Sequence, residues 1–196
     1  IRVSSVITDP DSYIVSVARM KTHNTVGATL SLKNIVFGSP IKDKGFTLYN
    51  EDLRFAPEKA KASKEGSVSH KRAIHGNGFH AVNFNMANLA QKLHPDLAVI
   101  DGYEGMEGNG PTLGTPIDHR VCVVSRDWLA ADRVGIELMG IDFARIGYLN
   151  HCSNMGMGIS DLNSIEIVGE KLSDHIKKYK LPDNFERQDA WMNPKT

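Results

Sequence analysis

Apolar and polar stretches alternate along the chain, and their spacing predicts several strands. Residues 13–18 are rich in β-branched side chains, which favour a strand. The short apolar runs at residues 97–100, 121–125 and 165–168 predict three more, because such runs are typical of buried strands. Residues 28–37 fit either a strand or a short helix, since periodicity does not decide over so short a run.

Three other segments have the pattern of amphipathic helices. In residues 80–93 an apolar side chain recurs every three or four positions, which gives a helix one apolar stripe. Asp127 can cap a second helix over residues 128–139, and Gly140 can end it. Residues 170–180 predict a third. Because helices and apolar strands alternate, we predict a three-layer α/β fold with a mostly parallel or mixed sheet and helices on both faces.

The length of 196 residues suits one domain. We assign residues 1–180 to a single α/β domain and residues 181–196 to a C-terminal tail. Inside the domain, residues 41–78 form a polar, basic excursion with one short helix near residues 57–62. An irregular segment this long is usually functional or mobile, although a merely solvated basic face is an alternative.

Composition excludes several classes of function. The 23 basic and 23 acidic residues balance, which argues against a broad nucleic-acid interface. No stretch approaches the ~20 apolar residues that span a bilayer, so we expect no membrane segment. We expect a cytoplasmic protein, and an export signal stays an alternative because the chain begins at Ile1 without its original N-terminus. The two cysteines form no cluster-binding motif, so this segment holds no iron–sulfur cluster by itself. Cys122 lies in an apolar run and is predicted to be a buried thiol.

Polar clusters follow three of the predicted strands, where α/β sheets usually bind ligands. These clusters are residues 21–23, residues 101–109 and residues 125–127. If the strands run parallel, the clusters converge on one rim. The glycines of residues 101–114 predict a loop whose backbone N–H groups approach a ligand closely. A glycine-rich turn that only closes the sheet is the alternative, because no dinucleotide-binding or Walker A motif is present.

Residue chemistry then suggests roles at this rim. His23 is a candidate proton carrier or metal ligand, and Asp101 and Glu107 are candidate bases or cation ligands. These three form the predicted catalytic set. The predicted contacts of a small anionic substrate or cofactor are Lys21, Lys33, Asn34 and Asn109. A divalent metal, if one binds, would have His23, His75 and Glu107 as ligands, although no metalloprotease-type histidine spacing exists.

These motifs together resemble the domain of unknown function family 362. The resemblance rests on Lys21-Thr22-His23, on Leu32-Lys33-Asn34, on His75, on residues 97–102, on Glu107-Gly108-Asn109-Gly110-Pro111 with Gly114, and on later matches up to Gly169. It implies an uncharacterised domain often joined to ferredoxin-like iron–sulfur modules, which makes such a module a candidate partner. It also implies that an N-terminal portion of the family domain is missing here. The family supplies no established catalytic residue.

Three hypotheses follow. The first is an enzyme that binds a small anion at the rim, assisted by a metal or linked to iron–sulfur redox partners. The second is a non-catalytic binding or electron-transfer module whose basic excursion, with Lys59, Lys61 and Lys64, docks an acidic partner such as a ferredoxin. The third is a structural domain without a site. The sequence leaves the oligomeric state open.

Overall fold

A computed structural model describes residues 1–44 and 67–192 of the chain, in which a four-stranded sheet packs against helices. The strands are β1 (Val15–His23), β2 (Gly27–Thr29), β3 (Lys42–Lys44), β4 (Ser67–Ser69), β5 (Leu97–Asn109) and β6 (Leu113–Ser125). The helices are α1 (Ser5–Thr8), α2 (Ser31–Gly38), α3 (Lys71–His75), α4 (Gly78–Ala90), α5 (Trp128–Leu138), α6 (Gly147–Asn154) and α7 (Phe185–Gln188). Short 3-10 helices span Phe143–Arg145, Leu162–Ser164, Leu172–His175 and Asp189–Trp191.

The main sheet has the order β2-β1-β5-β6, and β3 pairs with β4 in a separate two-stranded ribbon. β1 and β5 run parallel, whereas β1–β2 and β5–β6 are antiparallel. The predicted α/β fold with a mixed sheet is therefore confirmed. Because β1 and β5 are parallel, their C-terminal halves lie at the same end of the sheet.

Alternation along β1 separates a buried face from an exposed one. Ser16, Ala18 and Met20 are buried, while Val15 and Val17 on the other face are exposed. This is the period of two that a strand imposes on its side chains. α2 and α5 both contact the sheet and each other, and the core continues into α4 and α6. Among the described residues, the second face of β1 is therefore only partly covered.

The predicted helices at residues 80–93 and 128–139 are confirmed as α4 and α5, with ends that differ by at most three residues. Asp127 caps α5 as predicted, since its carboxylate accepts a hydrogen bond from the Ala130 N–H at 2.9 Å. Gly140 has a φ of 62° just beyond the helix, the left-handed conformation expected of a terminating glycine. Residues 28–37 contain both alternatives, because β2 ends at Thr29 and α2 begins at Ser31.

The prediction of a glycine-rich loop at residues 101–114 is wrong. β5 continues to Asn109 and β6 begins at Leu113, so these residues form a long antiparallel hairpin. Glycine is needed in this hairpin where other segments approach it closely. A Cβ on Gly105 would lie 2.3 Å from the Tyr179 hydroxyl, and one on Gly110 would lie 2.1 Å from the Thr22 carbonyl oxygen.

The predicted strand at residues 165–168 and the predicted helix at residues 170–180 are also wrong. Residues 165–168 have no regular structure, and only Leu172–His175 is helical, as a 3-10 turn. Tertiary hydrogen bonds explain the difference. The Lys177 and Tyr179 N–H groups donate to the carbonyls of Leu138 and Met139 at 2.9 and 3.0 Å, which holds this segment extended against the end of α5.

The two cysteines lie in different environments. Cys152 is buried in α6, but Cys122 is exposed, so the prediction of a buried Cys122 thiol is wrong. Cys122 pairs with Asp101 across β5–β6, and Asp101 pairs with Arg19, so all three lie on the face of the sheet that carries Val15 and Val17. An apolar run in an edge strand does not bury both of its faces.

Candidate functional site

The candidate site lies at the C-terminal end of β1. Lys21 and His23 are two residues apart, so they lie on the same face of the strand. Antiparallel pairing places Thr29 of β2 directly opposite Lys21, and Gly27 opposite His23. α2 begins two residues after Thr29 and brings Lys33 to the same end of the sheet.

α2 is held in place by polar contacts on two sides. The Asp132 carboxylate, from α5, accepts hydrogen bonds from the Ser31 N–H at 2.8 Å, the Ser31 hydroxyl at 2.6 Å and the Leu32 N–H at 3.1 Å. Complete burial raises the pKa of Asp132 to about 7, and these hydrogen bonds oppose the rise. On the sheet side, the Asn34 amide donates to the Ser16 hydroxyl at 3.1 Å. These contacts fix the helix that carries Lys33.

Lys33 is a buried lysine with an aromatic neighbour. Its side chain is only 6% exposed, and Nζ lies 4.4 Å from the centroid of the Phe37 ring, a cation–π distance. Within the described residues, Lys33 Nζ has no hydrogen bond and no ion pair. Burial is the main cause that lowers the pKa of Lys33 to about 7, followed by the positive charges of Lys21 and Lys71.

His23 is buried and close enough to Lys33 for the charge of the lysine to act on it. Its Nδ1 accepts a hydrogen bond from the Thr25 N–H at 3.0 Å, so the neutral ring carries its proton on Nε2. Burial is the main cause that lowers the pKa of His23 to about 2, followed by the charges of Lys33, His75 and Lys21. His23 is therefore neutral near pH 7 and presents an N–H donor.

Thr29 is a third polar residue at this end of the sheet. Thr29 Oγ1 is fully buried and makes no hydrogen bond within the described part of the chain. Buried hydroxyl groups nearly always have a partner, so such an exception requires an explanation. A bound ligand is one explanation.

We call the side chains of Lys21, His23, Thr29, Lys33 and His75 the basic pocket. Every charge that acts on Lys33 or His23 within the described residues is positive, and the pKa of neither group is raised by a carboxylate. The Phe37 ring contacts both Lys33 and His75. Lys33 Nζ lies over its face, and the His75 ring packs edge-on against it with 5.1 Å between the ring centroids. Chemically, the pocket offers N–H donors and positive charge, and among the described residues no carboxylate acts on Lys33 or His23.

Four of the residues singled out from the sequence interact at this end of the sheet: Lys21 and His23 lie on β1, Lys33 and His75 both contact the Phe37 ring, and the charges of the other three act on His23. Asp101 is elsewhere, because it pairs with Arg19 in the middle of the sheet, and its carboxylate accepts from the Tyr103 N–H at 2.9 Å. Asn34 also points away from the pocket, toward Ser16.

Glu107 and Asn109 lie near the pocket's end of the sheet, but they bind the C-terminal segment. The Glu107 carboxylate accepts from the Lys180 N–H at 2.8 Å. The Asn109 side chain donates to the Asp183 carboxylate at 2.8 Å and accepts from the Asp183 N–H at 2.9 Å. In this structure both side chains hold that segment on the β5–β6 hairpin.

The expected convergence of three strand ends on one rim is wrong for the third cluster. β6 is antiparallel to β5, and Ser125 pairs with Ala98 near the start of β5. Residues 125–127 therefore lie at the opposite end of the sheet from His23. Within residues 1–44 and 67–192, no three His, Cys, Asp or Glu side chains are arranged to hold a metal ion.

Sequence reasoning missed Thr29, Phe37 and the role of Asp132. Thr29 and Phe37 lie within residues 28–37, where the sequence made only Lys33 and Asn34 candidate ligand contacts. Asp132 was no candidate, and it is fully buried. The available signal was a lone acidic residue on the apolar side of α5, which has to find donors when it is buried.

Fold and pocket define a mixed α/β domain with a basic site at a sheet end. The comparisons place it in a family: the model of the domain of unknown function DUF362 matches residues 1–137, and the chain belongs to that family, as its motifs predicted. A thylakoid-associated protein of Synechocystis sp. is 26% identical over 183 residues, which cover 93% of this chain and 49% of that protein. The chain thus spans about half the length of this relative.

No solved structure matches the chain. Among the helices of the described residues, none is both long and apolar enough to cross a membrane.

Proposed function

We propose that the protein binds a small anionic ligand, a carboxylate or a phosphate, in the basic pocket. The observation that carries the proposal is Lys33, which is buried beside other basic groups and has no acceptor or counter-ion among the described residues. Burying a charged amine without a partner costs several kcal/mol. An anion in contact with Nζ would remove most of that cost.

The neighbouring groups suit the same ligand. His23 Nε2 offers a neutral N–H donor, Lys21 adds a positive charge, and the Thr29 hydroxyl can donate a further hydrogen bond. Charge-assisted hydrogen bonds to an anion are shorter and about twice as strong as neutral ones. The pocket thus offers an anion the positive charges of two lysines and hydrogen bonds from the His23 Nε2–H and the Thr29 hydroxyl.

The proposed chemistry at the pocket is proton transfer involving Lys33. The pKa of Lys33 is about 7 in the ligand-free protein, and contact with an anion would raise it, so in the complex the charged amine would serve as a proton donor. The enzyme hypothesis therefore rests on Lys33 and His23 rather than on Asp101 and Glu107. A resident metal and an iron–sulfur partner stay predictions, and Lys59, Lys61 and Lys64 lie outside the described residues.

The proposal is tested by isothermal titration calorimetry with inorganic phosphate and oxalate at pH 7 and low salt. We expect saturable binding of at least one of the two anions. The Lys33→Met and Lys21→Met variants should each weaken it at least tenfold, because each removes a charge–charge contact. Lys171→Met is the matched control. Lys171 is an exposed lysine that precedes the 3-10 helix Leu172–His175 and does not belong to the basic pocket.

Two results would overturn the proposal. One is the absence of saturable binding of either anion to the wild-type protein. The other is an anion affinity that is the same in Lys33→Met, Lys21→Met and the control Lys171→Met. The anion would then bind outside the basic pocket.

A further inference from the structure

A cavity away from the basic pocket has a different chemistry. It has a volume of about 630 Å³ and is lined by Ala90, Gln91, His94, Trp128, Met155 and Met157. The lining contains one imidazole, two thioethers and an indole, but no carboxylate. None of these residues contributes to the basic pocket.

We propose that this cavity binds a soft monovalent metal ion, Cu(I), through His94, Met155 and Met157, with the Trp128 ring against the ion. Thioether sulfur is a soft ligand that selects Cu(I) over hard cations, and imidazole also suits copper. The indole is the aromatic ring that attracts cations most strongly. Mg²⁺ and Ca²⁺ prefer oxygen ligands, which are scarce in this lining.

The two aromatic rings already lie against each other. His94 follows the end of α4, Trp128 begins α5, and their ring centroids are 6.5 Å apart at an interplanar angle of 24°. Trp128 is 5% exposed and therefore held by the core, whereas His94 is exposed. The imidazole thus has room to turn toward an ion in the cavity.

The methionines lie on a loop that is tied down on both sides. Met155 ends α6, and the Met157 N–H donates to the Cys152 carbonyl at 3.1 Å. Beyond them, the Ile159 N–H donates to the Asp127 carboxylate at 2.8 Å. Met155 is 41% exposed, so its thioether is accessible from solvent. The loop therefore holds both thioethers at the cavity while leaving the side chains mobile.

The cleanest test uses protein that carries Cys122→Ser, because the exposed Cys122 thiol would itself bind a soft metal. Ag(I) serves as an air-stable probe, and Cu(I) is then measured anaerobically against a competing chelator. We expect one equivalent of either ion to bind. The ¹³C-methyl NMR signals of Met155 and Met157 should shift on addition of Ag(I), while those of the other methionines stay in place.

Variants then identify the ligands. Met155→Leu combined with Met157→Leu keeps the side-chain volume and should weaken Ag(I) binding at least tenfold, as should His94→Gln. Met192→Leu is the matched control, because Met192 is also an exposed methionine, and it should leave binding unchanged. The proposal fails if Ag(I) binding disappears with Cys122→Ser, if the two methionine signals do not shift, or if Zn²⁺ binds this cavity as tightly as Cu(I).

Discussion

At the scale of single residues, the burial of Lys33 makes the stability of the protein depend on pH. The pKa of Lys33 is about 7 in the folded protein, against an ordinary value of 10.5. Between these two pH values the unfolded chain binds more protons, so the stability of the wild-type protein should rise with pH from about 7 to about 10.5. Below pH 7 the full cost of burying the charged amine is present.

Lys33→Met should therefore stabilise the ligand-free protein. We expect the free energy of unfolding to rise by about 1–3 kcal/mol at pH 6, because methionine fills the same space without a charge. The gain should shrink as the pH rises through the same window. Urea unfolding at pH 6, 8 and 10 measures it, with Lys171→Met as the control that changes little. A loss of stability at pH 6, or a gain that does not depend on pH, would contradict this account of Lys33.

Part of the basic pocket could be predicted from the sequence alone. Lys21, His23 and Lys33 stood out because two basic residues ended a predicted strand and the third matched a family motif. Thr29 could not be found in this way, since its missing partner is a property of the folded neighbourhood. Asp101 was misplaced for a related reason: the end of a strand depends on its pairing partner, and β6 extends β5 by eight residues beyond Asp101.

At the scale of elements, α2 depends on a carboxylate from another helix. Asp132→Ala would leave the Ser31 and Leu32 N–H groups and the Ser31 hydroxyl without an acceptor. Because these donors are buried, we expect a loss of about 2–4 kcal/mol in the free energy of unfolding. Anion binding should weaken as well, since α2 carries Lys33.

A matched control separates this effect from ordinary capping. Asp142 also caps a helical turn, through the Ala144 N–H at 2.9 Å, but this bond is exposed. Asp142→Ala should cost less than about 1 kcal/mol. If chemical denaturation shows that Asp132→Ala costs no more than Asp142→Ala, the buried cap does not stabilise α2 as described.

Local pattern predicted α4 and α5 well because their signals are local: an apolar stripe, a capping Asp127 and a terminating Gly140. The segment at residues 165–180 has an equally plausible local pattern and still adopts neither predicted element. Its backbone instead bonds to Leu138 and Met139 at the end of α5. Tertiary partners of this kind are invisible in the sequence.

At the scale of the whole molecule, the C-terminal segment binds the turn between β1 and β2. Gln188 is 2% exposed; its side chain accepts from the Gly27 N–H at 2.7 Å and donates to the His23 carbonyl at 3.2 Å. Phe185 beside it is also buried. The residues expected to form a tail therefore support the strand turn that carries His23.

Gln188→Ala tests this long-range support. Loss of both hydrogen bonds should lower the free energy of unfolding by about 1–3 kcal/mol and weaken phosphate or oxalate binding, because the turn after His23 loosens. Asn163→Ala, which removes an exposed amide, should do neither. Thermal unfolding and calorimetry on both variants provide the comparison. Unchanged stability and unchanged anion affinity in Gln188→Ala would show that the segment merely rests on the sheet.

Proton uptake on anion binding tests the central claim most directly. An anion that contacts Lys33 Nζ favours the charged amine and raises its pKa, so binding at pH 8 should draw a proton from solution. Titrations of phosphate or oxalate in buffers with different ionisation enthalpies measure this number. We predict an uptake that approaches one proton in the wild-type protein and is absent from Lys33→Met. Anion binding without proton uptake at pH 8, or uptake that persists in Lys33→Met, would contradict the account.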